Sequence, residues 1–206
     1  MLDGWARQRL DPVLNAAGRW TAAAGIPANA VTLAACATGL AAACCIAAGW
    51  FCLGLMLLLL SRFGDGLDGA VAKVHGRTDL GGYLDIVLDF AFYGAIPLGF
   101  VVLDPAANGL AGAVLLFSFY VNGSSFLAYA VMAEKRKLES AARGPKSLFF
   151  TTGLAEASET IAVFAAFCLF PDWFSGIAYA FAALTLYTAV SRIVLAWRMF
   201  GSLPPP

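Results

Sequence analysis

The sequence has 206 residues, of which 61% are hydrophobic and 13% are charged, and its formal net charge at pH 7 is zero. Its mean hydropathy is +0.78. A water-soluble domain of this length needs more polar surface than these residues supply. The composition therefore excludes that class and predicts an integral membrane protein.

The N-terminal segment, "MLDGWARQRLDPVLNAAGRW", mixes charged and apolar residues. Asp11 followed by Pro12 is typical of a helix start, with the aspartate as N-cap and the proline as first helical residue. Val13, Ala17 and Trp20 then share one face. This spacing predicts an amphipathic helix that lies in the membrane interface.

Six apolar segments follow, each close to the roughly 20 residues that a helix needs to cross the hydrocarbon. No long linker or internal repeat interrupts them. We therefore predict an all-α integral membrane protein with a single domain over 1–206, made of an interfacial segment (1–24), a bundle of six transmembrane helices (28–198) and a tail (199–206). The predicted spans are Ala28–Gly49, Phe51–Val74, Asp79–Leu103, Ala107–Ala133, Leu148–Phe170 and Trp173–Arg198.

Basic residues are concentrated at alternate junctions between these segments. The other junctions, near Gly49, Asp104 and Asp172, contain no lysine or arginine. By the positive-inside rule, both termini and the basic loops are expected in the cytoplasm. The basic residues are Arg7, Arg9, Arg19, Lys73, Arg77, Lys135, Arg136, Lys137, Arg143, Lys146 and Arg198.

The most unusual stretch, "RFGDGLDGAVAKVHGRTDLGGYLDIVLDF" (62–90), places four aspartates inside two apolar segments. If these segments form an antiparallel hairpin with its apex near Arg77, the acids lie at matching depths on the two helices. Asp65 and Asp68 are spaced i, i+3, and Asp85 and Asp89 are spaced i, i+4, so each pair shares one helix face. The four carboxylates are therefore expected to converge.

Such a cluster needs protons or cations to compensate its charge. Oxygen ligands without histidine or cysteine suit Mg²⁺ or Mn²⁺, and two such ions would clamp a diphosphate. The alternative is that the acids are protonated structural groups or partners of Arg62, one turn before Asp65. Interleaved glycines would let a nucleotide approach the backbone closely. These glycines are Gly64, Gly66, Gly69, Gly81 and Gly82.

The strings "DGLDGAVAK" and "TDLGGYLDIVLD" together resemble the signature of the CDP-alcohol phosphotransferases, D-x-x-D-G-x-x-A-R, roughly eight residues, then G-x-x-x-D-x-x-x-D. The upstream "GIPANAVTL" is similar to the family's Pro-Asn-x-x-Thr motif at the start of the first span. Two positions depart from the pattern: Lys73 replaces the arginine, and seven residues separate it from Gly81. The matching positions are Asp65, Asp68, Gly69, Ala72, Gly81, Asp85 and Asp89, with Thr78 at a common threonine position.

The resemblance implies a bacterial inner-membrane transferase that moves a phosphatidyl group from CDP-diacylglycerol to a small polar alcohol and releases CMP. It implies two Mg²⁺ or Mn²⁺ ions, surrounding membrane lipids, no nucleic acid partner, and a homodimer as the assembly to expect. The implied metal ligands are Asp65, Asp68, Asp85 and Asp89, with Asp89 also the general base. The implied CDP-binding residues are Asn29, Asp68, Gly69, Lys73 and Thr78.

The acceptor alcohol depends on the remaining charged residues. Lys146 and Arg192 are predicted to bind a phosphorylated alcohol, with glycerol 3-phosphate as the leading choice. Glu156 and Glu159 would instead suit the hydroxyl groups of an uncharged polyol. Inositol phosphate, serine and polyols therefore stay open as acceptors. His75 is expected in the loop near the apex, and the residues Lys135, Arg136 and Lys137 also fit topology signals or contacts with anionic lipids.

Two other classes of function are open at this stage. A divalent-cation transporter would also place carboxylates in the membrane, but its path needs polar groups in both halves of the bilayer. The halves of the spans that lie away from the basic junctions are almost purely apolar. A noncatalytic scaffold would leave the clustered acids unexplained.

Overall fold

A computed structural model describes residues 2–136 and 157–201, with side chains from Arg9 onward. Within these ranges the protein is entirely helical. The elements are α1 (Leu2–Ala23), α2 (Ala28–Ala47), α3 (Phe51–His75), α4 (Asp79–Leu103), α5 (Pro105–Lys135), α6 (Ala157–Leu169), a short 3-10 helix (Pro171–Trp173) and α7 (Phe174–Gly201).

The helices match the predicted apolar segments closely, and the bounds of α4 are the predicted ones. The first part of the predicted span Leu148–Phe170 lies outside the described residues, and its remainder forms α6. By length and composition, α2, α4, α5 and the segment Pro171–Gly201 can each cross a membrane. The helix α3 is equally long but carries part of the acidic cluster. The protein is thus an all-helical membrane protein.

The predicted helix start at Asp11 is wrong, because α1 runs from Leu2 to Ala23 and contains Pro12. Proline removes one backbone donor, but Pro12 is exposed, so water can satisfy the carbonyl that loses its partner. The helix packs on α3 at Gly18, where an added Cβ would lie 2.6 Å from Ala70 Cβ. Trp20 is exposed, and the placement of its face in the membrane interface stays a prediction.

As predicted, a short connection that contains Arg77 joins α3 and α4, and the two arms of this hairpin pack mainly on α2 rather than on each other. Gly76 has a φ of 96°, a left-handed conformation that glycine adopts without a steric cost. The helix α2 packs against both arms. Close approach depends on small residues, since a Cβ at Gly64 would lie 2.9 Å from Ala35 Cβ.

Buried phenylalanines fill the bundle on the side of the acids that lies away from the hairpin connection. Phe100 stacks on Phe174 with ring centroids 4.8 Å apart, and Phe167 lies 4.7 Å from Phe174. Phe92 and Phe164 continue this fully buried cluster toward the acids. Such an apolar aromatic layer disfavours the passage of ions, which argues against the transporter alternative.

Candidate active site

Three of the four aspartates form a tight group between α3 and α4. One carboxylate oxygen from each of Asp65, Asp68 and Asp85 lies within 4.8 Å of the others. The i, i+3 spacing on α3 aims two acids to one side, and the antiparallel hairpin brings Asp85 to the same depth. The convergence predicted from sequence is therefore observed for these three residues, which we call the acidic triad.

The acidic triad fits a hard divalent cation. Asp68 is only 6% exposed, and its Oδ2 atom has no hydrogen-bond partner. A buried carboxylate oxygen without a partner is costly unless a proton or a cation satisfies it. All the ligand atoms are oxygens, the type that Mg²⁺ and Mn²⁺ prefer.

Asp89 lies outside the acidic triad and has a different partner. Its Oδ1 accepts a hydrogen bond from Arg62 Nη1 at 2.6 Å. The same Nη1 lies 3.6 Å from Asp65 Oδ1. The alternative in which Arg62 pairs with intramembrane acids is thus observed, both for Asp89 and for Asp65 of the triad.

A cavity of about 540 Å³ opens beside the triad at the hairpin connection. Asn29, Gly69 and Thr78, all predicted CDP-binding residues, line it together with Asp68. Thr78 also caps α4, because its Oγ1 accepts a 3.0 Å hydrogen bond from the Gly81 amide. Among the described residues, apart from the adjoining turns of α3 itself, no atom lies within 4 Å of a Cβ added at Gly69, so this wall leaves room for a ligand.

Lys73, the remaining predicted CDP-binding residue, does not line this cavity. Its ammonium donates to Asn15 Oδ1 of α1 at 3.3 Å. The cavity wall instead contains Arg77 from the shortened connection. His75 also lines it, although as the last residue of α3 rather than as a loop residue.

A second cavity, of about 320 Å³, lies on the other side of the triad. Asp85, Asp89 and Arg192 line it, together with Asn122 of α5. Arg192 Nη1 donates to Asn122 Oδ1 at 3.1 Å and to Ser125 Oγ at 2.8 Å. Asp85 is the residue that lines both cavities.

Arg192 makes no ion pair with any described residue, and it is half-buried. The other predicted acceptor residue, Lys146, lies outside the described residues, as does Glu156. Glu159 is on α6, beside Thr160 of the cavity wall. Of the two residues predicted to bind the acceptor, the structure therefore describes only Arg192.

Sequence reasoning missed several lining residues. Thr32 is the threonine of the motif at the start of α2, although it was not named as a site residue. Asn122 and Thr185 belong to no motif, and they reach the smaller cavity only through the packing of α5 and α7. Arg77 could have been found from the sequence, because it is a cation close to a motif that lacks its usual arginine. The pairing of Arg62 with Asp89 could not, because nothing in the spacing distinguishes one of the four acids.

Comparison with known proteins identifies what the chain resembles. The sequence model of the CDP-alcohol phosphatidyltransferase family matches residues 26–197. Inner membrane protein YnjF of Escherichia coli is 42% identical over 203 residues, which cover 98% of each chain. Archaetidylinositol phosphate synthase of Methanothermobacter thermautotrophicus is 29% identical over 183 residues, or 84% of each chain.

Solved structures share the fold. Mycobacterium tuberculosis phosphatidylinositol phosphate synthase with CDP-DAG bound superimposes with a TM-score of 0.70 at 20% identity, covering 90% of this chain and 94% of that one. The same synthase in complex with manganese and citrate gives 0.69 at 21% identity, covering 89% and 88%. At this level of identity the likeness establishes the fold.

Proposed function

Because this chain belongs to the CDP-alcohol phosphatidyltransferase family of membrane enzymes, we propose that it transfers the phosphatidyl group of CDP-diacylglycerol to a phosphorylated alcohol and releases CMP. One observation carries this proposal. Two cavities meet at Asp85, one lined by glycines and a capped helix start, the other by Asp89 and Arg192. Two substrates can therefore approach the acidic triad from opposite sides.

The larger cavity is the proposed site of the CDP group. Its volume of about 540 Å³ suits a nucleotide, and it lies at the start of α4, where backbone amides favour phosphate. Gly69 gives the diphosphate close access to the backbone, and Asn29 offers an amide to the base or sugar. Arg77 and the neighbouring Lys73 supply positive charge.

Asp65, Asp68 and Asp85 would hold two divalent ions, Mg²⁺ or Mn²⁺, against the diphosphate. When bound, such ions neutralise charge on the leaving CMP and on the attacking oxygen. The unsatisfied Asp68 Oδ2 supports this assignment from the side of the protein. The complex of the related synthase with manganese is consistent with it.

The smaller cavity is the proposed acceptor site. An alcohol is a weak nucleophile at neutral pH, so a carboxylate must accept its proton as the new phosphodiester bond forms. Asp89 lines this cavity and is the proposed base. Arg192, a half-buried cation without an ion-pair partner among the described residues, supports an acceptor that carries a phosphate.

Glycerol 3-phosphate stays the first candidate for this acceptor. Inositol phosphate is the second, and the similarity to an archaetidylinositol phosphate synthase supports it. Both supply a hydroxyl for Asp89 and a phosphate for Arg192. An unphosphorylated polyol would leave Arg192 without an anion, and serine would offer it a carboxylate instead of a phosphate.

We further propose six transmembrane spans, with both termini and both cavities on the cytoplasmic side of an inner membrane. The hairpin connection with Arg77, the end of α5 with Arg136 and the end of α7 with Arg198 carry the basic residues. The hydroxyl oxygen of Tyr129 on α5 lies 3.1 Å from Met199 Sδ on α7. The ends of α5 and α7 are therefore neighbours. The E. coli relative, named as an inner membrane protein, supports this location.

The direct test is a product assay with purified protein, CDP-diacylglycerol and Mn²⁺ or Mg²⁺. Glycerol 3-phosphate, inositol 1-phosphate, serine and free inositol are supplied one at a time, and the lipid product is identified by mass. We expect a product only with a phosphorylated alcohol. A product formed only with serine or free inositol would overturn the acceptor class and leave phosphatidyl transfer standing.

A variant pair links the acceptor class to Arg192. Arg192→Gln should raise the KM for the phosphorylated acceptor about tenfold or more, and should leave the KM for CDP-diacylglycerol unchanged. Arg198→Gln, on the same helix but outside the cavity wall, is the matched control and should change neither constant. Equal effects of the two variants would contradict the assignment.

A further inference from the structure

The wall of the smaller cavity contains a threonine, Thr185 of α7, whose hydroxyl group has no hydrogen-bond partner. The residue is 1% exposed, and its Oγ1 atom is buried and bonds to no described residue. A buried hydroxyl without a partner destabilises the fold. Because Thr185 lines the proposed acceptor site, a molecule bound there can supply the partner that the protein does not.

Thr188, three residues further along α7, has the arrangement that is usual for a threonine inside a helix. It is also 1% exposed, and its Oγ1 donates to the Leu184 carbonyl oxygen at 3.0 Å. Such a bond to the carbonyl four residues earlier satisfies the hydroxyl within the helix. Thr185 lacks the equivalent bond to Phe181, and it is Thr185 rather than Thr188 that lines the cavity.

Thr185 lies deeper in the bundle than Arg192. The two residues are spaced i, i+7 on α7, so they share a face and lie about 10.5 Å apart along the helix axis. One turn beyond Thr185, Phe181 packs edge-on against Phe119, with ring centroids 6.0 Å apart, in the buried cluster of phenylalanines. An acceptor whose phosphate binds Arg192 would therefore extend along this face toward Thr185.

Resting on the function proposed above, we propose that Thr185 is a specificity-determining residue, whose hydroxyl binds an acceptor hydroxyl that neither carries the phosphate nor reacts. Rotation about the Cα–Cβ bond, which has two populated positions for threonine in a helix, turns Oγ1 toward the cavity. The acceptor class is then a phosphorylated polyol. Both glycerol 3-phosphate and inositol phosphate carry such a further hydroxyl, whereas serine does not.

The test compares glycerol 3-phosphate with 3-hydroxypropyl phosphate, which has the same chain length but lacks the central hydroxyl. Calorimetric titration in the presence of Mn²⁺ and CDP gives the Kd of each. The wild type should bind glycerol 3-phosphate about fivefold more tightly, because the analogue leaves the Thr185 hydroxyl unpaired. Thr185→Val removes the hydroxyl at nearly constant volume and should reduce this preference at least threefold. Thr185→Ser keeps the hydroxyl and should retain the preference.

Thr188→Val is the matched control on the same helix. It should keep the preference for glycerol 3-phosphate but lower the melting temperature by about 2 °C or more, since a hydrogen bond is lost. Without acceptor, Thr185→Val should leave the melting temperature unchanged or raise it by about 2 °C, because an unpaired buried hydroxyl is removed. A purely structural Thr185 would instead lower it.

Three results would overturn the proposal. They are equal binding of the two phosphates by the wild type, a preference that Thr185→Val leaves unchanged, and an equal loss of preference in Thr188→Val. Wild-type protein that binds glycerol 3-phosphate but releases no CMP from CDP-diacylglycerol would instead contradict the proposed function. The ratio of the two Kd values would still test the contact at Thr185, because it is measured without turnover.

Discussion

Asp85 and Asp89 are one turn apart on α4, yet only Asp85 brings a carboxylate oxygen within 4.8 Å of ligand atoms of both Asp65 and Asp68. Asp89 is bound by Arg62 instead. Two acids that a sequence pattern treats alike therefore have different surroundings. Their substitutions should have separable effects on metal binding and on catalysis.

Asp85→Asn should weaken Mn²⁺ binding about tenfold or more, because loss of a ligand costs at least as much as loss of an outer-sphere partner. Asp89→Asn should change Mn²⁺ affinity by less than about threefold and lower kcat by about 10²- to 10⁴-fold. Titration of Mn²⁺ by electron paramagnetic resonance, alongside CMP release, measures both. Equal loss of Mn²⁺ affinity in the two variants would make Asp89 another metal ligand.

The unsatisfied Asp68 Oδ2 leads to a prediction about stability. Asp68→Asn should raise the melting temperature of the metal-free protein by about 2–4 °C, since about 1 kcal/mol of repulsion within the triad is relieved. The same variant should lose the rise in melting temperature that Mn²⁺ gives the wild type.

Asp79→Asn is the matched control for this stability measurement. Asp79 is exposed in the first turn of α4 and contributes only a fraction of a kcal/mol through the helix dipole. This variant should keep the Mn²⁺-induced rise. If Asp68→Asn also kept that rise, Asp68 would not be a ligand.

Arg77 and Lys73 offer a test of which cation faces the CDP diphosphate. Arg77 lines the larger cavity, whereas the Lys73 ammonium is bound to Asn15 of α1. Arg77→Ala should therefore weaken CDP binding about tenfold, and Lys73→Ala by less than about threefold. Calorimetric titration of CDP in the presence of Mn²⁺ decides between them. The reverse order would place Lys73 at the diphosphate in the bound state.

Gly69 tests whether the larger cavity is the nucleotide site. A leucine there should fill the cavity without clashing with the fold, because no atom of the described residues outside the adjoining turns of α3 lies within 4 Å of an added Cβ. We expect Gly69→Leu to abolish CDP binding at unchanged melting temperature. Gly176→Leu, exposed near the start of α7 with equal space around its Cβ, should bind CDP normally. Normal CDP binding by Gly69→Leu would move the nucleotide elsewhere.

The sequence was sufficient to predict the apolar helices and the convergence of Asp65, Asp68 and Asp85, although it grouped Asp89 with them, because apolar run lengths and the i, i+3 and i, i+4 spacings are local properties. Local spacing could not show that Arg62 hydrogen-bonds Asp89, because that contact depends on how α3 and α4 are oriented on α2 and on the packing of Arg62 against Phe92. It also could not place Lys73, whose partner Asn15 belongs to a helix expected to lie apart in the interface. Pro12 misled the prediction of α1 because an exposed proline is tolerated inside a helix.

One acidic triad is proposed to serve two substrates, and CMP release from CDP-diacylglycerol by purified protein tests this claim. We predict that CMP appears at the same rate as a new phospholipid, and only when Mg²⁺ or Mn²⁺ and a phosphorylated alcohol are both present. Release of CMP that continues undiminished in excess chelator, or that requires no alcohol, would contradict the claim.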